Sequence, residues 1–256
     1  MVGSVRLAAA AGVFWCAVAA ARPLSVVSLN LAKVTDAAAI ERELRDADVY
    51  LFQEVAHARA GAPSVAEELA ARRKMNVVYS QAKPGETDLG LAILTRFPIT
   101  DKNLRLLRTY DLKFRSRTRF ALSATVHTLD GPVRISNVHL DTRLNAEDRL
   151  EQLTPVVNDC VRFSMPRIIG GDFNSNDFYW LANVIPVPWV RSQVKVIESF
   201  MSHHGYRTPI PSGWPTFDHL GMRLDWIYGY GLQPRDAKIY PLRFSDHHAI
   251  WAQFGT

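Results

Sequence analysis

The sequence predicts a single α/β domain, and three observations carry that prediction. Short runs rich in Val, Ile and Leu recur along the chain, as buried strands require. Between several of them lie stretches whose apolar residues return at helical spacing. No internal repeat, low-complexity tract or interdomain linker breaks the succession, and 256 residues fit one large domain. The hydrophobic content of 48% is ample for a core, and 21% charged with 10% aromatic residues excludes a disordered chain.

The first 21 residues read as an address. One charge, Arg6, precedes an unbroken small and apolar run from Leu7 to Ala21 with an Ala-x-Ala ending. That is the pattern of a secretory signal peptide, with cleavage expected after Ala19 or Ala21 and a secreted or periplasmic product spanning residues 22–256. A membrane-spanning helix needs about 20 strongly apolar residues. This run is shorter and Ala-heavy, so an uncleaved anchor is the lesser reading. Of two cysteines, Cys16 falls in the leader, behind bulky Phe14 and Trp15, which does not suit a lipoprotein site. Cys160 sits on a helical pattern and reads as a small buried hydrophobe. Neither zinc spacing nor a disulfide framework exists.

Residues 24–30 form the first strand, closing on Asn30. Thr35 and Asp36 can start a helix carrying Ile40 and Leu44 on one face. Residues 49–54 are a second buried strand ending in Glu54, and a carboxylate there is unusual unless something compensates it. Ser64 and Glu67 have capping-box spacing and open a helix to about Arg73. Strands follow at 77–79, 90–95 and 104–107. Lys113, Arg115, Arg117 and Arg119 then fall on every second position, which on a strand would aim all four to one face. That pattern suits either a cationic wall beside an anionic substrate or a solvated edge strand. Arg119, nearest the apolar run, is the one expected to reach a site.

Strands at 120–128 and 133–138 join through the turn Leu129-Asp130-Gly131-Pro132. Asn137 and His139 share a face by the two-residue period. Residues 145–161 are helical, with Leu150, Leu153 and Val157 aligned. The central stretch is Arg167-Ile168-Ile169-Gly170-Gly171-Asp172-Phe173-Asn174. Two β-branched residues are followed by two glycines that permit a sharp, close-packed exit. A carboxylate and an amide then stand at the strand's mouth, where desolvation demands partners for them. Prolines 186 and 188 make 180–189 a loop. Residues 192–204 form a helix stopped by Gly205, with His203 and His204 as its end rather than as metal ligands. Residues 209–218 read as a Pro/Gly/Trp-rich loop. Strand 224–228 bears Asp225, and Asp246 and His247 precede the terminal strand 249–254.

The polar strand ends are thus Asn30, Glu54, His139, Asp172, Asn174, Asp225, Asp246 and His247, and so many imply one shared pocket. In order, Ser28-Leu29-Asn30, Leu51-Phe52-Gln53-Glu54, the stretch 91–98, Asn137-Val138-His139-Leu140, Gly170-Gly171-Asp172-Phe173-Asn174, Leu224-Asp225-Trp226-Ile227 and Ser245-Asp246-His247 resemble the motifs of the endonuclease/exonuclease/phosphatase superfamily. Each is weak alone, but the ordered set, spanning about 24–254, is specific.

The resemblance implies a four-layer α/β/β/α sandwich of two mixed sheets with flanking helices. It also implies metal-dependent hydrolysis of phosphate esters, with Mg²⁺ expected and Mn²⁺ or Ca²⁺ as alternatives. Oxygen ligands without a Cys cluster suit such hard cations. On this chain Glu54 would be the main metal carboxylate, with Asn30 and Asp246 completing or flanking the site. Asp172 would orient and deprotonate the attacking water, and Asn174 would hold water or phosphate. His247, fixed by Asp225, would stabilise the phosphate. His139 would be a second phosphate ligand or a general acid, and Arg119 and Asn137 would contact substrate. His248 departs from the family pattern and is expected to point away.

The net charge is +5, and between Arg96 and Arg119 eight Lys/Arg stand against two Asp. A monomeric phosphodiesterase acting on nucleic acid is therefore favoured, because a cationic segment attracts polyanions. A sphingomyelinase-like lipid phosphodiesterase is the runner-up. It should carry an exposed apolar hairpin, for which only 184–190 offers itself. A phosphomonoesterase, and a catalytically inactive binding protein on the same scaffold, complete the alternatives. Loops 141–145 and 178–191 are where substrate choice would lie.

Overall fold

The computed structural model describes residues 22–59, 61–81, 90–113, 117–188 and 192–255. The leader at 1–21, Arg115 and Trp189 lie outside the described residues. The first sheet has the order β12-β13-β1-β2-β4-β3. Its strands are β1 (Leu24–Asn30), β2 (Val49–Val55), β3 (Asn76–Ser80), β4 (Gly90–Thr95), β12 (Gln233–Tyr240) and β13 (Ala249–Gly255). The second sheet runs β11-β8-β7-β6-β5. It comprises β5 (Ile99–Leu106), β6 (Phe120–Thr128), β7 (Gly131–His139), β8 (Arg167–Asp172) and β11 (Asp225–Tyr230). Each sheet is mixed, because β1–β2 and β7–β8 are parallel while the other pairs are antiparallel.

Three apolar layers explain the stacking. The middle one takes alternate residues from both sheets: Val26, Leu51 and Ile93 face Leu122, Ile135, Ile168 and Ile227. The intervening residues of the first sheet, such as Val27, Leu29, Tyr50 and Phe52, turn outward onto helices α1 (Ala37–Glu43) and α2 (Val65–Arg73) through Ile40 and Leu69. Those of the second sheet, Val138, Ile169 and Trp226, meet α3 (Ala146–Val161) and α4 (Gln193–His203) through Leu153, Val157, Ile197 and Met201. The result is the expected four-layer α/β/β/α sandwich. Central strands read as continuous apolar runs because both faces are covered.

Local signals place the helices well. Asp36 caps α1 by accepting from the Ala38 and Ala39 N–H groups, and Ser64 with Glu67 forms a complete capping box on α2. Cys160 is fully buried, as an apolar residue would be.

Two expectations change, and one strand appears where none was expected. Residues 117–119 precede β6 rather than belonging to it, and Lys113 has φ +59, so the described basic residues do not share one strand face. The proline-marked stretch after 177 forms an antiparallel hairpin of β9 (Phe178–Leu181) and β10 (Ile185–Pro188). Its prolines are tolerated because the ribbon belongs to neither main sheet, leaving free edges where a missing N–H costs little. Leu181, Ile185 and Val187 are exposed on it. Strand β12 carries no clear sequence signal: Pro234 and its charges suit the sheet edge it occupies, with a bulge between Pro234 and Asp236.

Candidate active site

The parallel pairs set the site. β1 and β2 end together, Asn30 opposite Gln53, and β7 and β8 end together, His139 opposite Asp172. Antiparallel β11 begins where β8 ends, so Asp225 is the register partner of Asp172. β13 runs antiparallel to β1, which brings the 245–248 segment to Asn30; Ser245 Oγ donates to the Asn30 carbonyl at 2.8 Å. One end of both sheets therefore collects most of the polar strand ends.

Gly171 makes the approach of β7 and β8 possible. Its φ is +137°, and a Cβ there would lie 2.0 Å from the Val138 carbonyl oxygen. No other residue type fits without moving a strand.

Asp172 is the focus. Its Oδ1 accepts from the Asn174 N–H at 2.8 Å, and its Oδ2 accepts from Asn30 Nδ2 at 3.1 Å. The same Oδ2 faces His139 Nε2 at 3.4 Å and His247 Nε2 at 3.9 Å. Behind His247, Nδ1 donates to Asp225 Oδ2 at 2.9 Å. All of these side chains are buried.

That burial sets the protonation states. Burial and the neighbouring Asp225 charge push Asp172 up to about 7, against the opposing pull of His247. Burial alone would lower His247, but Asp225 in particular, with Asp172 and Asp246, outweighs it and raises His247 to about 10. His139 is driven well below its ordinary value by burial, with Arg119 and His247 adding to it. It is thus neutral near pH 7, which leaves it a hydrogen-bonding ligand and not an imidazolium acid.

The predicted metal residues divide. Asn30 is satisfied within the protein, since its Oδ1 also accepts from the Ala32 N–H at 3.0 Å. Glu54 is half-buried, has φ +49°, and stands where the β2–β4 register slips. Among the described residues its carboxylate has no hydrogen bond or ion pair. Asp246 is exposed, close enough for its charge to act on His247. No side-chain hydrogen bond or ion pair joins these three to one another among the described residues. The side chains whose donor atoms do cluster, within 4.8 Å of one another, are Asp172, Asp225 and His247.

Three residues expected at the substrate meet protein partners instead or as well. Asn137 is fully buried: its Nδ2 donates to the Phe52 and Ala92 carbonyls at 2.8 and 2.9 Å, and its Oδ1 accepts from Gln53 Nε2 at 2.7 Å. It stitches the two sheets together and does not reach the site, because it shares His139's face of β7 but lies two residues deeper, where the facing sheet covers it. Asn174 Nδ2 donates to the Leu140 carbonyl at 2.9 Å, so that amide nitrogen holds the loop and not phosphate. Arg119 is buried, lines a small pocket with His139, and is held by Asp141 Oδ1 at 3.0 Å.

Half of the remaining described basic residues of this segment are paired with acids. Arg96 pairs with Asp46 and Asp48, Arg105 with Asp159, and Arg108 with Glu151. Lys102 and Arg117 stay exposed.

A supporting network escaped the sequence. Arg149, fully buried on α3, donates to the carbonyls of Asp141 (2.6 Å), Phe173 (2.8 Å) and Leu144 (2.9 Å), and to Gln193 Oε1 (3.1 Å). Gln152 Nε2 holds Asp141 Oδ2 at 2.8 Å. These contacts fix the loops after β7 and β8. The available signal was polar residues interrupting the apolar stripe of α3, where Arg149 and Gln152 alternate with Leu153 and Val156.

Comparison with known proteins supports the same reading. The model of the Endonuclease/Exonuclease/phosphatase family matches residues 27–247. Among solved structures, the chain is similar to an endonuclease/exonuclease/phosphatase from Beutenbergia cavernae (TM-score 0.68, 20% identity, covering 91% of this chain and 72% of that one). It is also similar to the human Nocturnin catalytic domain with bound sulfate (TM-score 0.64, 18% identity, 91% and 93%). A third is the endonuclease domain of TRAS1, a telomere-specific non-LTR retrotransposon (TM-score 0.58, 17% identity, 91% and 99%). No curated protein sequence matches significantly.

Proposed function

The chain belongs to the endonuclease/exonuclease/phosphatase family, whose members hydrolyse phosphate esters, and from that premise we propose that it is an exported, divalent-metal-dependent phosphodiesterase. The observation that carries the reading is the convergence on Asp172 of Asn30, His139 and the His247–Asp225 pair.

The donor set fits a hard cation. It offers carboxylates and amide oxygens without thiolate, Glu54 has no protein partner among the described residues, and Asp225 Oδ1 is buried with none. By the family pattern Glu54 would hold Mg²⁺, with Asn30 and Asp246 as the further candidates, and bound there it would supply Lewis-acid polarisation of a phosphate oxygen. The rest is work for the chain itself. Asp172, held at both oxygens and poised near neutrality, takes the proton of the attacking water. His247, kept cationic by Asp225, offers Nε2 to the phosphate and opposes its growing negative charge. Neutral His139 and buried Arg119 line the other side.

Nucleic acid remains the first substrate reading, supported by the net charge of +5 and by the shared fold of an endonuclease domain. The pairing of Arg96, Arg105, Arg108 and Arg119 with acids takes support away from it. A lipid phosphodiester is the second reading, favoured by the exposed Leu181, Ile185 and Val187 on a hairpin that begins four residues after Asn174. Export rests on the leader pattern alone.

The test is a panel of plasmid DNA, RNA, sphingomyelin vesicles and a generic bis-ester, with Mg²⁺ or EDTA. Wild type should cleave at least one substrate only with metal, and Asp172→Ala and His247→Ala should each lose about 10²–10⁴-fold. Equal inertness of all three proteins on all four substrates would refute the assignment.

A further inference from the structure

The Asp225 hydrogen bond restrains His247 at one atom only. An imidazole tethered through Nδ1 can still turn about that contact, since its terminal torsion is broad. A second restraint must set the ring plane, and the structure holds one in the segment 216–218.

Thr216 is fully buried, and its Oγ1 accepts from the N–H groups of Leu224 (2.9 Å) and Asp225 (3.0 Å). Its carbonyl accepts from the His248 N–H at 2.8 Å. Phe217 forms antiparallel bridges to Met222 and His247, and its ring centroid lies 4.8 Å from that of His247, inclined by 60°. The Asp218 N–H donates to the Asp246 carbonyl at 3.4 Å. Finally, His248 Nε2 donates to Asp218 Oδ1 at 2.6 Å, because a carboxylate there can only accept. One short segment therefore touches Asp225 at one end and both sides of His247 at the other.

We propose that Asp218 and His248 are positioning residues: their hydrogen bond latches segment 216–218 over 245–248, and so keeps the Phe217 ring against the His247 imidazole. The proposal rests on the reading of His247 as the phosphate-facing group. The Asp218 side chain is 70% exposed, so the pair adds little to global stability. Its role is geometric: without it the fold stands and Phe217 can lift away.

The experiment compares Asp218→Ala, His248→Ala, Phe217→Leu and His248→Gln with wild type, using the full chain. Two readouts are taken. In metal-free protein, NMR follows the ring protons of His247, assigned by their loss in His247→Asn, which report the nearby Phe217 ring current. With Mg²⁺ and a bis-ester, kcat and KM are measured. Phe217→Leu, Asp218→Ala and His248→Ala should shift the His247 signals and lower kcat about tenfold at near-constant KM and Tm, inside the hundredfold that a 1 Å misplacement can cost. His248→Gln, which keeps a donor toward Asp218, should restore both. Unchanged His247 signals in Asp218→Ala and His248→Ala overturn the proposal, as does a loss that follows Tm and is not rescued by Gln. If wild type hydrolyses nothing, the parent reading fails, and the ring signals alone decide the latch.

Discussion

At the residue scale, Asp172 and His247 should shape the pH profile. Asp172 must be ionised to accept a proton, so activity rises through about 7; His247 must stay protonated, so activity falls through about 10. Asp225→Asn removes the chief charge that raises His247, and the alkaline limb should move down toward the ordinary histidine value. A profile whose alkaline limb ignores that substitution would detach His247 from the reaction. Asn137 makes the opposite kind of prediction. Asn137→Ala leaves the Phe52 and Ala92 carbonyls and the Gln53 amide without partners, and should cost about 3 kcal/mol in chemical denaturation. KM should not change; a raised KM at full stability would restore the substrate role that the sequence suggested.

At the element scale, the β7–β8 pair holds His139 beside Asp172, and Gly171 sets its closeness. Gly171→Ala combines an unfavourable φ with a Cβ driven into a backbone oxygen. It should cost about 3 kcal/mol or more, read as a lowered denaturation midpoint at constant slope. Gly131→Ala is the control: its φ is also positive, +118°, but nothing lies within 4 Å, so about 1 kcal/mol of strain is all that should appear. Equal losses would show that crowding against Val138 is unimportant. The hairpin of β9 and β10 teaches a different lesson. Prolines mark it as irregular, yet they pair within a two-stranded ribbon whose edges ask nothing of their missing N–H groups.

At the scale of the whole molecule, the charge distribution separates the substrate readings. Lys102 and Arg117 of the described basic segment are exposed with no hydrogen bond or ion pair, so nucleic-acid binding carried by these two should show a log–log salt slope of about −2. A slope of −6 or steeper would mark it as a polyanion track. If lipid is the substrate instead, Leu181→Ser with Ile185→Ser should weaken vesicle hydrolysis and spare a soluble bis-ester. Both mixed sheets bring their polar ends to the same edge, and the proposed reaction would take place there.

The ordered motifs were legible because each is local. Apolar runs, capping residues and abrupt polar endings are written in consecutive positions, and they determined the α/β class, the family and the membership of Asn30, His139, Asp172, Asp225 and His247 in one pocket. Whether a polar residue at a strand end faces the pocket or the inter-sheet layer is decided by register and by what packs across, which is why Asn137 proved to be a strut. Arg149 reaches Phe173 and Gln193, and Phe217 reaches His247, across 24 to 44 residues of chain. The pairing of Arg96, Arg105 and Arg108 with acids likewise exists only once the chain has closed. Sequence thus determined which chemical groups are present. Tertiary structure decided where each group points, because hydrogen bonds and ion pairs depend on distances that no local pattern contains.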